Sequence, residues 1–462
     1  MDDKIKKFLD SVCGHIKYKP IHEDIKSELT VHINELKDAF MNETQDEQSS
    51  IDLAISAMGN CGEIGSQLNK QHKPKTEWSL IGLTAVIALI GSAILYVTSN
   101  ISPFQPINFE RHLMFSAVGL TVLFGVYFFD YTKIRRFSLP IFVVSLAMLL
   151  ILGSHVVGGR MMIILHFPIS IEIFVPIFLI SFAGFIHKAE GKGGLAALKL
   201  FVPGFISVLL LLQFSLSHAF ALSVGYVILI TAAIFKNHFG GNKKAQIITL
   251  LTALTGSLGL IFFSVIFFSA FRMTRLSSFL NRGLSDPLGT GFTRVVADQW
   301  LLNSNLFGPA TETLDGRSFQ SMLPNIAHDY VVVNIIGTFG WAAGILFILT
   351  VITLICRMII TVSKIKNGYG FYVSLAACTI LAVQFIVGIL VNFGLLPATS
   401  IYVPFVSFGL TGYVVGMALV GLVLSVWRRD DIIPAEQVID DKGRFVEVCD
   451  GKVIIDFRRV RF

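Results

Sequence analysis

Apolar positions follow two different rules along this chain. Over the first 75 residues they recur every three to four positions, and from there to about residue 430 they gather into long runs. Ile5, Phe8, Leu9 and Val12 predict a first helix from Asp3 to about Ile16. Ile25, Leu29, Ile33, Leu36 and Phe40 predict a second from about His22 to Met41. Ile51, Leu53, Ala54 and Met58 follow a Ser50 N-cap and predict a third that ends at Gly59. Ten apolar runs come next, near 78–98, 112–129, 138–157, 170–187, 199–216, 218–235, 246–270, 330–355, 370–392 and 401–427. Several approach the roughly 20 residues that cross a hydrocarbon core. Ser215, Ser217 and His218 divide 199–235 into two spans.

The expected fold is therefore all-α, a polytopic membrane protein of about ten transmembrane helices behind a small cytosolic helical domain. The domains run 1–75, three helices; 76–430, the membrane domain with a long loop at 272–329; and 431–462, a polar tail. In that tail FVEVCDGKVIIDFRR sets Asp-Gly between β-rich runs and predicts a short hairpin.

Composition agrees with the pattern: 53% of residues are apolar and 15% charged, against about 25% charged in soluble domains. The net charge of +6 does not point to nucleic acid. Its Lys and Arg gather in TKIRR (132–136), HKAEGKGG (187–194), KNHFGGNKK (236–244), CRMIITVSKIK (356–366) and WRR (427–429), all on one side of the ten-run arrangement. That alternation puts both termini in the cytosol and the stretch Thr274–Tyr330 outside. The N-terminus MDDKIKKFLDSV lacks the apolar core of a cleavable signal. Five scattered cysteines make no disulfide framework, and free thiols are expected. His15, His22 and His32 read as solvated helix-face residues.

The sequence contains no Walker loop, dinucleotide fingerprint, HExxH or GxSxG. Candidate chemistry therefore rests on Thr274–Tyr330, a long polar interval inside the apolar two-thirds of the chain. Loops of this length are usually functional or disordered. This one carries Arg275, Arg282, Asp286, Arg294, Asp298, Glu312, Asp315, Arg317 and Asp329.

Three ordered segments carry a resemblance. TRLSSFLNRGLSDPLGTGF resembles an Arg-x-x-x-Phe-Leu…Asp-Pro…Gly-Tyr signature. LPNIAHDYVVVNIIGTFGW resembles Leu-Pro-Glu-Ala-His-Thr-Asp-Phe-Ile-Phe…Glu-Leu-Gly-Phe, with the distance from Asp329 to Gly340 preserved. FGLLPATSIYVPFVSFGLTGYVV resembles Gly-Leu-Leu-Pro-Val-Thr-Gly…Pro-Phe…Ser-Tyr-Gly-Gly-Ser. Together they resemble the SEDS family, the RodA/FtsW/SpoVE group of peptidoglycan glycosyltransferases, over most of 78–430. Separately, residues 1 to about 70 resemble the helical prefix domain of some Gram-positive permeases and sensors. The chain departs from the SEDS pattern at named places. The Asp of Gln-Pro-Asp becomes Ser215, the Lys of Pro-Ser-Glu-x-x-Lys becomes Val175 while Glu172 stays, and the asparagine ahead of Gly-Leu-Leu-Pro becomes Gly388. Gly-Gly-Ser becomes Gly409-Leu410-Thr411, and His328 stands before Asp329 in place of Thr.

The resemblance implies polymerisation of lipid II, the undecaprenyl-pyrophosphate-linked disaccharide, beside a class B penicillin-binding transpeptidase. It makes Asp329 a general base for the attacking sugar hydroxyl; the residue's position alone makes it an N-cap of the following helix. Arg275 and Arg282 are candidates to hold pyrophosphate, with Arg275 equally an interfacial anchor. Asp286 either orients an arginine or shapes a turn. Glu172 is an ionisable group at membrane depth, and His328 is a candidate substrate contact. Thr399 and Ser407, near Pro397 and Pro404, suggest a broken segment lining a cavity, or hydroxyls bonded to helix backbone. No cofactor or metal ligand set is assigned, and a divalent cation at the departing pyrophosphate stays open. A lipid-linked precursor flippase and a non-catalytic scaffold also stay open, as does service in elongation, division or sporulation.

Overall fold

In a computed structural model of the chain, the described residues are 3–44, 46–71, 75–99, 108–152, 156–157, 161–164, 167–267, 270–280, 291–310, 319–430, 446–449 and 452–455. The amphipathic N-terminal pattern folds into α1 (Asp3–Gly14), α2 (His22–Thr44), α3 (Glu47–Met58) and α4 (Cys61–Gln71). Two small cores join them, one around Val12, Cys13, Ile16, Ile21 and Ile25, the other around Ile5, Leu9, Ile33, Ile51 and Ala54. The pattern predicts three helices and the structure has four. Gly59, at φ +94°, stops α3, and the Asn60 side chain accepts the Gly62 N–H to start α4. Asp46 is the cap of α3, so Ser50 sits one turn inside it.

The apolar runs become α5 (Trp78–Ser99), α6 (Phe109–Phe128), α7 (Thr132–Leu152), α8 (Phe174–Lys188), α9 (Gly194–Phe214), α10 (Leu216–Phe235) and α11 (Lys243–Phe267). The later runs become α15 (Val331–Phe339), α16 (Trp341–Ser363), α17 (Gly368–Asn392) and α18 (Leu410–Arg429). Among the described residues, eight helices are long and apolar enough to cross a membrane, and α9 and α11 contain shorter apolar stretches. Strands β1 (Val156–Val157), β2 (Met161–Ile164) and β3 (Phe167–Ser170) form a small antiparallel sheet between α7 and α8. In the tail, β4 (Val446–Cys449) pairs antiparallel with β5 (Lys452–Ile455).

Helix α17 is the axis of the bundle. It is largely buried and touches α8, α10, α16 and α18, whereas α6 leaves most of its surface outward. Such an exposed apolar face suits a lipid-facing helix.

Two predicted spans differ from the helices found. The run at 330–355 is two helices, broken at Gly340 (φ +94°). A Cβ there would lie 2.6 Å from the Leu306 carbonyl oxygen, so the loop occupies the side-chain space. The backbone groups freed by the break bond to that loop: Trp341 N–H to Asn305 O, Gly308 N–H to Phe339 O, and Ala310 N–H to Gly337 O. The last run is helical only from Leu410, because 401–409 follow an irregular path with Phe405 at φ +65°. Irregular backbone at membrane depth must find partners in the protein, and the next section identifies them.

Candidate functional site

The polar interval of the sequence is built into the bundle. It holds α12 (Ala270–Leu280), α13 (Phe292–Leu302) and the single turn α14 (Phe319–Met322). Val296, Ala297 and Trp300 of α13 join Leu323, Ile326, Tyr330 and Val333 in a core of their own. Gly337 lets the Trp300 indole lie against α15, since a Cβ there would approach the ring to 2.1 Å. Buried Asn334 donates to Thr98 Oγ1 at 2.8 Å and ties α15 to α5. The loop is thereby fixed on α15, which is itself tied to α5.

Asp329 ends the turn 324–329, with Asn325 at φ +57° accepting the N–H groups of both His328 and Asp329 at 2.9 Å. The position-based expectation that Asp329 caps the following helix is not what the structure shows. Tyr330 is the N-cap residue of α15 and gives no side-chain bond. The N–H groups of Val332 and Val333 both go to Asn392 Oδ1 at 3.0 Å. The Asn392 amide nitrogen donates to Asp329 O at 2.9 Å and to Gly388 O at 2.8 Å. One fully buried amide thus caps α15 from outside and holds the Asp329 backbone.

On the same face, a Cβ at Gly388 would meet the Val403 Cγ2 methyl at 2.7 Å, so the glycine gives the 401–409 segment room to pack against α17. Asn392 lies one helical turn further along the same face of α17.

The 401–409 segment closes the other side. Ser407 Oγ donates to His328 O at 2.7 Å and accepts the Val403 N–H at 3.1 Å. Phe408 N–H bonds Ala327 O at 2.8 Å. The His328 ring sits between Tyr402 and Phe408, at 5.8 and 5.7 Å between centroids. Thr399 Oγ1 accepts the Ile401 N–H at 3.3 Å, a turn bond. So His328, Asp329 and Ser407 come together, whereas the bond shown for Thr399 serves its own turn.

Arg294 comes in from α13. It donates to Val391 O at 3.2 Å and Asn392 O at 2.8 Å, satisfying the end of α17, and pairs with Asp298. Gly394, at φ +65°, leaves room for its guanidinium. Burial pushes the Tyr330 phenol above its ordinary value; the charges of Arg294 and Arg275 oppose this and that of Asp329 adds to it. Arg275 is exposed on α12, within electrostatic reach of Tyr330. Arg282 and Asp286 lie outside the described residues.

Glu172 forms a second polar point against α17, about two turns inside the Asn392 end. It is 3% exposed, and Gln384 Nε2 donates to its Oε1 at 2.6 Å. Gly412 of α18 gives it space, with a Cβ there placed 3.2 Å from Oε2. Gln384 is on α17 two turns before Asn392. Neither Gln384, Asn392 nor Arg294 stands out as a site residue in the sequence. The available signal was that two amides interrupt an otherwise apolar run at 370–392.

A bundle of helices long and apolar enough to cross a membrane, with a polar loop packed onto its central helix, defines the class as a polytopic membrane protein. The sequence model of the FtsW, RodA and SpoVE cell cycle proteins matches residues 73–431, and the chain belongs to that family. Over 373 residues it is 26% identical to stage V sporulation protein E of Bacillus subtilis, covering 77% of this chain and 98% of that one. It is 25% identical over 370 residues to a probable peptidoglycan glycosyltransferase FtsW of Trichlorobacter lovleyi, covering 76% and 93%. Two solved structures share the fold. A chain of a peptidoglycan synthase complex that coordinates polymerisation and crosslinking has a TM-score of 0.59 and 19% identity, covering 77% of this chain and 98% of its own. The RodA rod shape determining protein of Thermus thermophilus has a TM-score of 0.53 and 16% identity, covering 77% and 97%.

Proposed function

We propose that this protein is a peptidoglycan glycosyltransferase that polymerises lipid II into glycan strands. In this reading Asp329 accepts the proton of the attacking sugar hydroxyl as the new bond to the anomeric carbon forms and the lipid pyrophosphate leaves. One observation carries the assignment. The carboxylate stands at a buried bundle end whose backbone bonding is done by other residues, Asn392 and Ser407. Positioned general bases of this kind contribute about 10²–10⁴ in rate.

Asn392 and Ser407 position the turn, and His328 packs between Tyr402 and Phe408 beside Asp329. Arg275, with Arg282, is the proposed contact for the anionic pyrophosphate; a divalent cation there is a compatible addition. Glu172, held by Gln384, keeps a second carboxylate against α17. The proposed orientation puts both termini in the cytosol and Asp329 on the outer face, following the basic loops. A class B penicillin-binding transpeptidase is the proposed partner, in line with the synthase complex whose fold this chain shares.

The test is polymerisation of labelled lipid II by the purified full chain, alone and with a candidate transpeptidase. Glycan ladders support the reading. Their absence under both conditions, with translocation of lipid II across vesicles instead, would replace it with a flippase.

A further inference from the structure

At the end of the bundle opposite Asp329, two connections come together. One is the end of α8, with His187 in its last turn and Glu190 just beyond it; the other joins α10 to α11 and carries His238. His187 Nδ1 lies 3.6 Å from one Glu190 oxygen and His238 Nδ1 lies 3.8 Å from the other. One donor atom from each residue fits within 4.8 Å of both others, and among the described residues this is the one such group. A tetrahedral zinc with bonds of about 2.0–2.1 Å needs ligand atoms about 3.4 Å apart. The two pairs are already near that spacing.

One further observation favours an ion over a simple contact, and two more show that the connections are held in place. His238 Nε2 lies 3.1 Å from Ile186 O, so a proton there donates to the carbonyl and Nδ1 keeps its lone pair toward Glu190. Metal-binding histidines ordinarily have their second nitrogen fixed in this way. The connections are also fastened to each other, Gly191 N–H to His238 O at 3.0 Å and Gly193 N–H to Phe239 O at 2.7 Å. Finally, Asn237 takes φ +54° just before His238, with Gly191, Gly193, Gly240 and Gly241 also at positive φ. A side chain in that region costs of order 1 kcal/mol and persists only where the surroundings enforce it.

We propose that His187, Glu190 and His238 form a binding site for a divalent transition-metal ion of the zinc class, clamping the α8–α9 and α10–α11 connections. Two imidazoles and one carboxylate leave a fourth position for water and suit zinc better than magnesium or calcium, which take all-oxygen shells. Arg135 of α7 donates to His187 Nε2 at 3.2 Å, which leaves the ring proton on Nδ1; this bond opposes the ion and must break for His187 Nδ1 to bind it. The site neither contains nor touches the residues proposed for glycan polymerisation.

The probe is Co²⁺ titrated into the full chain in detergent, purified without a polyhistidine tag and followed by visible absorbance. The expected result is one equivalent with four-coordinate d–d bands, displaced by Zn²⁺. His238→Ala and Glu190→Gln weaken it by at least about 100-fold, since loss of an outer partner alone costs about 10–100-fold. Arg135→Gln strengthens it. Zn²⁺ also raises the melting temperature of wild type and not of His238→Ala, which separates a lost ligand from a misfolded variant. Three results overturn the proposal: no binding in wild type, equal binding in His238→Ala, or a thiolate charge-transfer band placing the ion on cysteine.

Discussion

Asp329 and Asp430 are both nearly buried, at 9% and 7% exposure, and each sits where a chain segment meets one end of α17. The Asp430 carboxylate is spent on backbone: its Oδ1 accepts Lys366 N–H at 2.9 Å and Asn367 N–H at 3.1 Å, just before the start of α17. At the other end the equivalent duty falls to a neutral amide, Asn392, which accepts Val332 and Val333 N–H and donates to Asp329 O. Buried N–H groups in a membrane protein must be served by something. A carboxylate that serves them is structural. At the Asp329 end a neutral amide serves them instead, and that difference separates the two ends of the bundle.

The largest effect that tests this contrast is expected at Asp329. Asp329→Asn should reduce lipid II polymerisation by about 10²–10⁴-fold while leaving the melting temperature close to wild type. An unstable, active variant would make Asp329 the structural partner.

Asn392→Ala comes next. It removes an acceptor shared by two N–H groups and two donated bonds, all buried. Buried groups left unpaired cost about 1–3 kcal/mol, so thermal unfolding should show a loss on the order of 2–4 kcal/mol. Polymerisation should fall with it, because the Asp329 turn loses its anchor. Asn392→Asp keeps the acceptor and should recover the α15 cap more fully than the rate.

Asp430→Ala should lower stability by about 1–3 kcal/mol and leave turnover per folded molecule unchanged. A selective loss of rate there would show that the two ends are coupled and weaken the contrast. The smallest effect is expected for Ser407→Ala, about 1 kcal/mol for its bond to His328 O, with a modest loss of rate.

The sequence made the spans legible because burial in lipid writes itself locally, as unbroken apolar runs. It also marked the polar interval 274–330, through ordered motifs. It did not show the break at Gly340 or the irregular course of 401–409, because each depends on a partner far along the chain: Asn305–Ala310 for the first, Ala327 and His328 for the second. Gln384 and Asn392 read as interruptions of an apolar run, since their roles lie in bonds to Glu172 and Asp329. Arg294 looked like one loop charge among several until the fold brought it to the last carbonyls of α17.

The measurement that bears most directly on the central claim pairs two quantities, polymerisation rate and melting temperature, for Asp329→Asn and Asp430→Ala side by side. The account predicts opposite signatures: a folded, inactive Asp329→Asn and a destabilised Asp430→Ala with normal turnover per folded molecule. If Asp329→Asn polymerises lipid II at the wild-type rate, the carboxylate is not the base and the contrast between the two ends fails.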